Sequence, residues 1–245
     1  MRRTHPTGAL VRLVVGAFFV CVAALAHAGR PVLVDPGIPS GERSVYRLTK
    51  RDGSRSTSIH FITVESTEDG PVYVIQTESK RMVLRKENLT PISITQRRRD
   101  GSVDWKILYS KDRVNFIYPG PKRNKVQKVG ENRYDVNPIV HIVRGFPFGK
   151  TKKVKFDLVV PDRVLGVALE IEGEERVTVP LGTFDTYRIR IGLTGIKGRV
   201  YTKKIRFWVE KASPHRLIRQ EDEGITDTRL TELVEYRVEG TGAAR

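Results

Sequence analysis

The sequence predicts an all-β protein, built as a strongly curved antiparallel sheet or incomplete barrel with one short helix. Three observations predict it. Apolar and polar residues alternate with a period of two through much of the chain. Turn-forming residues recur about every 8–12 positions, which is typical of sandwiches and barrels. A single segment has the end signals of a helix.

The alternation is clearest at residues 103–109, where every second residue from Val103 is apolar or aromatic. Asp100-Gly101 precedes this segment and supplies the positive φ that a tight hairpin requires. Further turns follow the same logic and separate about a dozen predicted strands. These are residues 45–49, 59–65, 72–78, 82–85, 92–98, 103–109, 114–118, 154–160, 167–171, 176–179, 187–193, 203–210, 216–221 and 229–238.

The predicted helix occupies residues 137–145. Asn137 is a suitable N-cap, Pro138 suits the first helical position, and Gly145 suits the position after the end. The segment is more apolar than a two-turn helix in solvent would need, so we expect it to cover the concave face beside Trp105 or Trp208. A pocket there would be lined by Trp105, Ile139, Ile142, Val143 and Trp208. The alternative is that these residues complete a dry core, because pockets and cores use the same residue types.

The N-terminus predicts export. Three arginines precede an uncharged run at residues 13–26. The length of this run suits the apolar region of a signal peptide and is short for a membrane span. Ala26-His27-Ala28 predicts cleavage after Ala28 into the periplasm or medium; an uncleaved anchor is the alternative. The only cysteine, Cys21, lies in this run, and the bulky residues before it argue against a lipid anchor. The predicted organisation is a signal peptide at 1–28, an extended lead-in at 29–40, one β-rich domain at 41–240 and a tail at 241–245.

The chain is strongly basic. Removing residues 1–28 lowers its formal net charge from +16 to +13, a charge that favours anionic surfaces such as lipid headgroups or lipopolysaccharide. The residues expected to form an anionic-surface site are Arg97, Arg98, Arg99, Lys152, Lys153, Lys203 and Lys204. Each cluster taken alone also suits solvated hairpin tips and edge-strand protection. Export, and the lack of aromatics among these clusters, argue against nucleic acid as a partner.

The motifs of common enzymes do not occur. The sequence lacks H-E-x-x-H, a P-loop, G-x-G-x-x-G and G-x-S-x-G. His60, His141 and His215 are far apart along the chain and predict no metal site. We therefore expect a non-catalytic protein without a cofactor or metal.

Residues 179–187, VPLGTFDTY, resemble a signature of an exported bacterial family, the domain of unknown function 3108. Residues 41–46, 135–147, 207–209 and 214–217 resemble further family elements in the same order. The resemblance implies a fold similar in design to the periplasmic lipoprotein-carrier half-barrels, in which helices close a curved sheet over an apolar cavity. It implies no catalytic residues. Physically, Pro180 and Gly182 suit a tight turn and Phe184 a core anchor.

Three functions follow as hypotheses. The first is an envelope module that binds or shuttles an apolar or lipid-like ligand. The second is a structural or assembly factor that docks on an anionic envelope partner through a basic face. The third, a hydrolase, would require converging carboxylates or a histidine–carboxylate pair in a cleft.

Overall fold

The computed structural model describes residues 32–120, 124–161, 163–195 and 204–240. Fifteen strands form one sheet, and the prediction of a curved, incompletely closed all-β sheet with one short helix is confirmed. The strands are β1 Glu42–Lys50, β2 Arg55–Thr67, β3 Gly70–Gln76, β4 Lys80–Arg85, β5 Pro91–Arg97, β6 Val103–Tyr109, β7 Arg113–Ile117, β8 Lys125–Lys128, β9 Arg133–Asp135, β10 Lys153–Val160, β11 Arg163–Val179, β12 Gly182–Leu193, β13 Ile205–Glu210, β14 Leu217–Asp222 and β15 Thr228–Val238.

The sheet order is β8-β7-β6-β5-β4-β3-β2-β1-β15-β14-β13-β12-β11-β10-β9. Neighbours are antiparallel except β9 and β10, which are parallel. The turns that join β1 to β2, β3 to β4, β5 to β6, β7 to β8, β10 to β11 and β14 to β15 therefore lie at one edge, called here the upper edge. Among the described residues the end strands β8 and β9 do not pair with each other, and this gap is called the seam.

Side chains bridge the seam near β9. Arg133 Nη2 donates to the Ser110 carbonyl at 2.6 Å, and the Tyr109 hydroxyl donates to Asp135. The two ends of the sheet are thus fastened together without a continuous ladder.

The turn predictions are confirmed where the residues are described. Gly101 has φ +83° in the β5–β6 hairpin, and Gly182 begins β12 directly after the turn that follows β11. Two strand predictions need correction. Residues 167–171 and 176–179 belong to one strand, β11, and the short strands β8 and β9 were not predicted. The sequences KVQK and RYD carry too few apolar residues for alternation to show.

The helix prediction is confirmed in place and corrected in detail. An α-helix, α1, covers Ile139–Ile142, and a 3₁₀ turn covers Val143–Gly145. The N-cap is Pro138 and not Asn137, because the Asn137 side chain bonds to Asp135. Neither helix among the described residues has the length and apolar character to cross a bilayer.

The core fills the inner face of the sheet. Ile62, Ile75, Met82 and Ile94 continue around one half, and Leu169, Ile189, Phe207 and Leu233 around the other, all fully or almost fully buried. The lead-in is part of this core. Leu33 and Ile38 are buried, and their N–H groups donate to the hydroxyls of Tyr134 and Tyr73. The lead-in thus links β3 to β9 at the lower edge, which is the edge opposite the upper edge.

Candidate ligand pocket and the buried polar groups behind it

An apolar pocket of about 180 Å³ opens beside the seam at the upper edge. Its lining is mainly aromatic and aliphatic: Trp105, Lys106, Ile107, Phe116, Tyr118, Asn137 and Pro161. The alternation of β6 places Trp105 and Ile107 on the inner face, and Ile107 pairs with Phe116 of β7. Strand geometry therefore turns three large apolar side chains toward one opening.

The opposite wall of the pocket is held by Asp135 at the end of β9. Its Oδ1 accepts hydrogen bonds from the backbone N–H and the Nδ2 of Asn137, each at 2.7 Å. Its Oδ2 accepts from the Tyr109 hydroxyl of β6. Burial raises the pKa of Asp135 above the ordinary carboxyl value. Asn137 is thereby fixed relative to β6, so the two walls of the pocket are tied together.

A basic hairpin stands next to the pocket. Arg97 pairs with Val103, two residues from Trp105, and Arg97, Arg98 and Arg99 are all exposed. Arg98 forms an ion pair with Asp104 at 3.0 Å. A strand advances about 3.3 Å per residue, so the hairpin tip lies roughly 13 Å beyond Trp105. Charge and apolar surface therefore meet at the pocket mouth.

The other predicted basic residues lie elsewhere. Lys152 and Lys153 are exposed at the opposite edge, where β10 begins, and Lys153 pairs with Glu170 at 3.0 Å. Lys204 precedes β13 at the upper edge and is half-buried. Lys203 lies outside the described residues. The predicted set is thus divided between both edges of the sheet, and only the arginine hairpin adjoins the pocket.

Trp208 lies on the outer face of the sheet, away from the helix. It alternates with Phe207 and Val209, which face the core, and its indole N–H donates to Glu175 at 2.5 Å. Arg219 lies over its ring at 5.5 Å. Trp208 borders a polar groove of about 620 Å³, whose arginines and glutamates are paired with one another. The structure therefore separates Trp208 from Trp105.

The apolar helical residues fill the core. Ile142 and Val143 are completely buried, and Ile139 is partly buried against the same cluster. The residue that lines the pocket from this segment is Asn137, just before α1. The fold thus uses the helix mainly to complete the core, with a small pocket left beside it.

Two histidines meet behind the pocket. His60 Nδ1 of β2 lies 2.7 Å from His141 Nε2 of α1, and His60 Nε2 lies 2.9 Å from the Ser58 hydroxyl. Burial and the charge of Lys80 lower the pKa of His60 to about 4. Burial, His60 and Arg144 lower the pKa of His141 well below its ordinary value. Both rings are therefore neutral at neutral pH.

A buried ion pair lies one turn further along. Arg144 Nη1 and Nη2 donate to the two carboxylate oxygens of Glu42 at 2.6 and 2.9 Å, and Arg144 Nε donates to the Pro214 carbonyl at 3.2 Å. The Tyr236 hydroxyl also donates to Glu42, at 3.2 Å. Each of the three guanidinium nitrogens thus has an acceptor, as a buried charge requires.

Sequence reasoning missed both buried pairs. His60 and His141 are 81 residues apart, and Glu42 and Arg144 are 102 apart. One signal was available: Arg144 interrupts an apolar helical segment, and a charged residue in such a position needs a buried partner. Among the residues described, no three His, Cys, Asp or Glu side chains come together as a metal site.

Comparisons with known proteins give a family match and distant structural neighbours. Residues 37–231 match the family model described as "Protein of unknown function (DUF3108)". A β-barrel-like protein of the DUF1849 domain from Brucella abortus superposes with a TM-score of 0.48 at 12% identity, covering 82% of this chain and 99% of that one. A YmcC-like protein from Bacteroides fragilis gives 0.33 at 9% identity, with 84% and 99% covered. A search of curated proteins gives no match.

Proposed function

The chain belongs to the DUF3108 family, and we propose that it is an exported, non-catalytic envelope protein that binds the apolar end of a lipid-like ligand in the Trp105 pocket. The observation that carries this proposal is the pocket itself, which is lined by Trp105, Ile107 and Phe116 and opens beside an arginine hairpin. Its volume of about 180 Å³ is below the roughly 300 Å³ of typical small-molecule sites. It therefore suits one end of an acyl chain.

The arginine hairpin indicates that the ligand has an anionic headgroup. Arg97, Arg98 and Arg99 stand within reach of the pocket mouth, and the nearby acids are fewer, with Asp104 already paired to Arg98. A single-chain amphiphile could place its tail between Trp105 and Phe116 and its headgroup toward these guanidinium groups, which suit phosphate. We therefore propose anionic lipids, including lipopolysaccharide, as ligands.

The expected result is saturable binding of a short-chain lysophosphatidylglycerol, followed by tryptophan emission. The protein has two tryptophans, so a Trp208→Phe variant isolates the signal of Trp105. A blue shift that saturates at micromolar ligand is expected. Tyr118→Asp should weaken binding at least tenfold, because a carboxylate in an apolar pocket is costly to desolvate. Ile225→Asp, an exposed site in the β14–β15 turn, is the matched control.

The second proposed function, docking on an anionic envelope partner, is favoured by the exposed arginine hairpin. It predicts binding to anionic vesicles that weakens with salt and leaves Trp105 emission unchanged. If folded protein gives this pattern and no response to the lysophospholipid, the pocket proposal is wrong and docking replaces it.

Export is the remaining part of the proposal. The signal peptide and the cleavage after Ala28 lie outside the described residues. N-terminal sequencing of the exported protein should begin at Gly29. Recovery of the intact chain in a carbonate-washed membrane pellet would contradict cleavage.

A further inference from the structure

The contact between His60 and His141 joins α1 to the inner face of β2. The ring centroids are 5.0 Å apart, and the nitrogens that face each other are 2.7 Å apart. One nitrogen must carry a proton and the other a lone pair, because two N–H groups at this distance would repel. His141 Nδ1 is buried and has no partner among the described residues. A proton added at His141 Nδ1 would therefore be buried without a hydrogen-bond acceptor.

The charges around the pair also oppose protonation. Lys80 approaches from β4 and acts on His60, and Arg144 approaches from the 3₁₀ turn and acts on His141. From β1, Tyr46 packs edge-on against His60 at 5.2 Å, and Glu42 is engaged by Arg144. From β9, Asp135 is engaged by Tyr109 and Asn137. Both nearby carboxylates are thus already committed to other groups.

We propose that the His60–His141 contact is an acid-sensitive latch that holds α1 closed against β2, and that its protonation loosens the wall of the Trp105 pocket. This inference rests on the proposed function for the pocket. The mechanical link is short: Asn137 lines the pocket and lies two residues before α1. The Arg144–Glu42 pair anchors the other end of the helical segment, so the movement is confined to its first half.

The direction of the pH dependence follows from the linkage between proton binding and the equilibrium between the closed and released states. His60 has a pKa of about 4 in the closed state and an ordinary value of 6.5 when released. The released state therefore binds more protons, and the closed state loses stability as pH falls from 6.5 toward 4. At pH 5 this single histidine shifts the closed-to-open ratio by about 20-fold relative to pH 7. His141 acts in the same direction.

The latch is tested first without ligand. Imidazole proton shifts of the full domain should give His60 and His141 pKa values below 6, and the protection factors of the amides at residues 139–142 should fall between pH 7.5 and 5. His60→Gln combined with His141→Gln should remove this fall in protection, because either histidine left alone is still buried. His215→Asn is the matched control, because His215 lies outside the pair at φ +56°, a conformation that Asn tolerates.

The ligand test uses lysophosphatidylglycerol, whose phosphodiester stays ionised across this range. Its affinity should fall at least tenfold from pH 7.5 to 5 in wild type and in His215→Asn, and much less in the His60→Gln, His141→Gln double variant. Binding that is independent of pH, with unchanged amide protection, would overturn the latch and leave the pocket intact. A fall in amide protection without any ligand binding would support the latch as a property of the fold and contradict the proposed function. If the double variant does not fold, ordinary histidine pKa values in wild type would still refute the latch.

Discussion

Replacement of Glu42 by glutamine is expected to lower the free energy of unfolding by about 3–5 kcal/mol, the range for breaking a buried ion pair. Arg144 and Glu42 have side chains that are 1% and 0% exposed. Glutamine keeps the size and some hydrogen bonds of the side chain but leaves the Arg144 guanidinium buried without a counter-charge. Urea unfolding at pH 7.5, followed by circular dichroism, measures the change.

The double variant separates two contributions to the free energy of unfolding: the cost of leaving the Arg144 charge buried without a counter-charge, and the stabilisation from the ion pair itself. Arg144→Met combined with Glu42→Gln should be less destabilised than the sum of the single variants, because no buried charge is left unpaired. Asp104→Asn is the control, since its ion pair with Arg98 is exposed and should contribute less than about 1 kcal/mol. A Glu42→Gln variant as stable as Asp104→Asn would show that Arg144 finds another acceptor.

The strands could be predicted because their signal is local. In β6 the apolar or aromatic residues Val103, Trp105, Ile107 and Tyr109 share one face, and the one buried residue of the strand, Ile107, belongs to this face. The Asp100-Gly101 turn is local in the same sense, because its backbone conformation requires glycine. β8 and β9 lack this signal, and they pair only because their neighbours bring them into register.

The site could be predicted only in part, because it depends on which distant strands become neighbours. Trp105 and Trp208 are both aromatic residues in alternating strands, and nothing local distinguishes the inner face of β6 from the outer face of β13. The contact between His60 and His141 likewise depends on which distant elements become neighbours. Its two members lie in a strand and a helix whose contact is set by the whole sheet order.

Gly41 directly precedes Glu42 and positions it, so the second large effect is expected at this residue. Gly41 has φ +85°, and a Cβ added there would lie 2.3 Å from the Glu239 carbonyl oxygen, which is backbone. The residue is held on both sides, since its N–H donates to the Ile62 carbonyl and its carbonyl accepts from the Glu239 N–H, each at 2.8 Å. The glycine therefore cannot move away without breaking the β1–β15 and β1–β2 pairings at this end.

Gly41→Ala should lower the free energy of unfolding by about 2–5 kcal/mol, from the left-handed conformation together with the backbone clash. Gly101→Ala is the matched control, because Gly101 has φ +83° but nothing within 4 Å of an added Cβ. The free energy of unfolding of Gly101→Ala should fall only by the cost of the left-handed conformation, about 1–2 kcal/mol. Urea midpoints of the two variants compare them directly. Equal losses would mean that strand β1 shifts to relieve the contact, and Glu42 would then have to follow it away from Arg144.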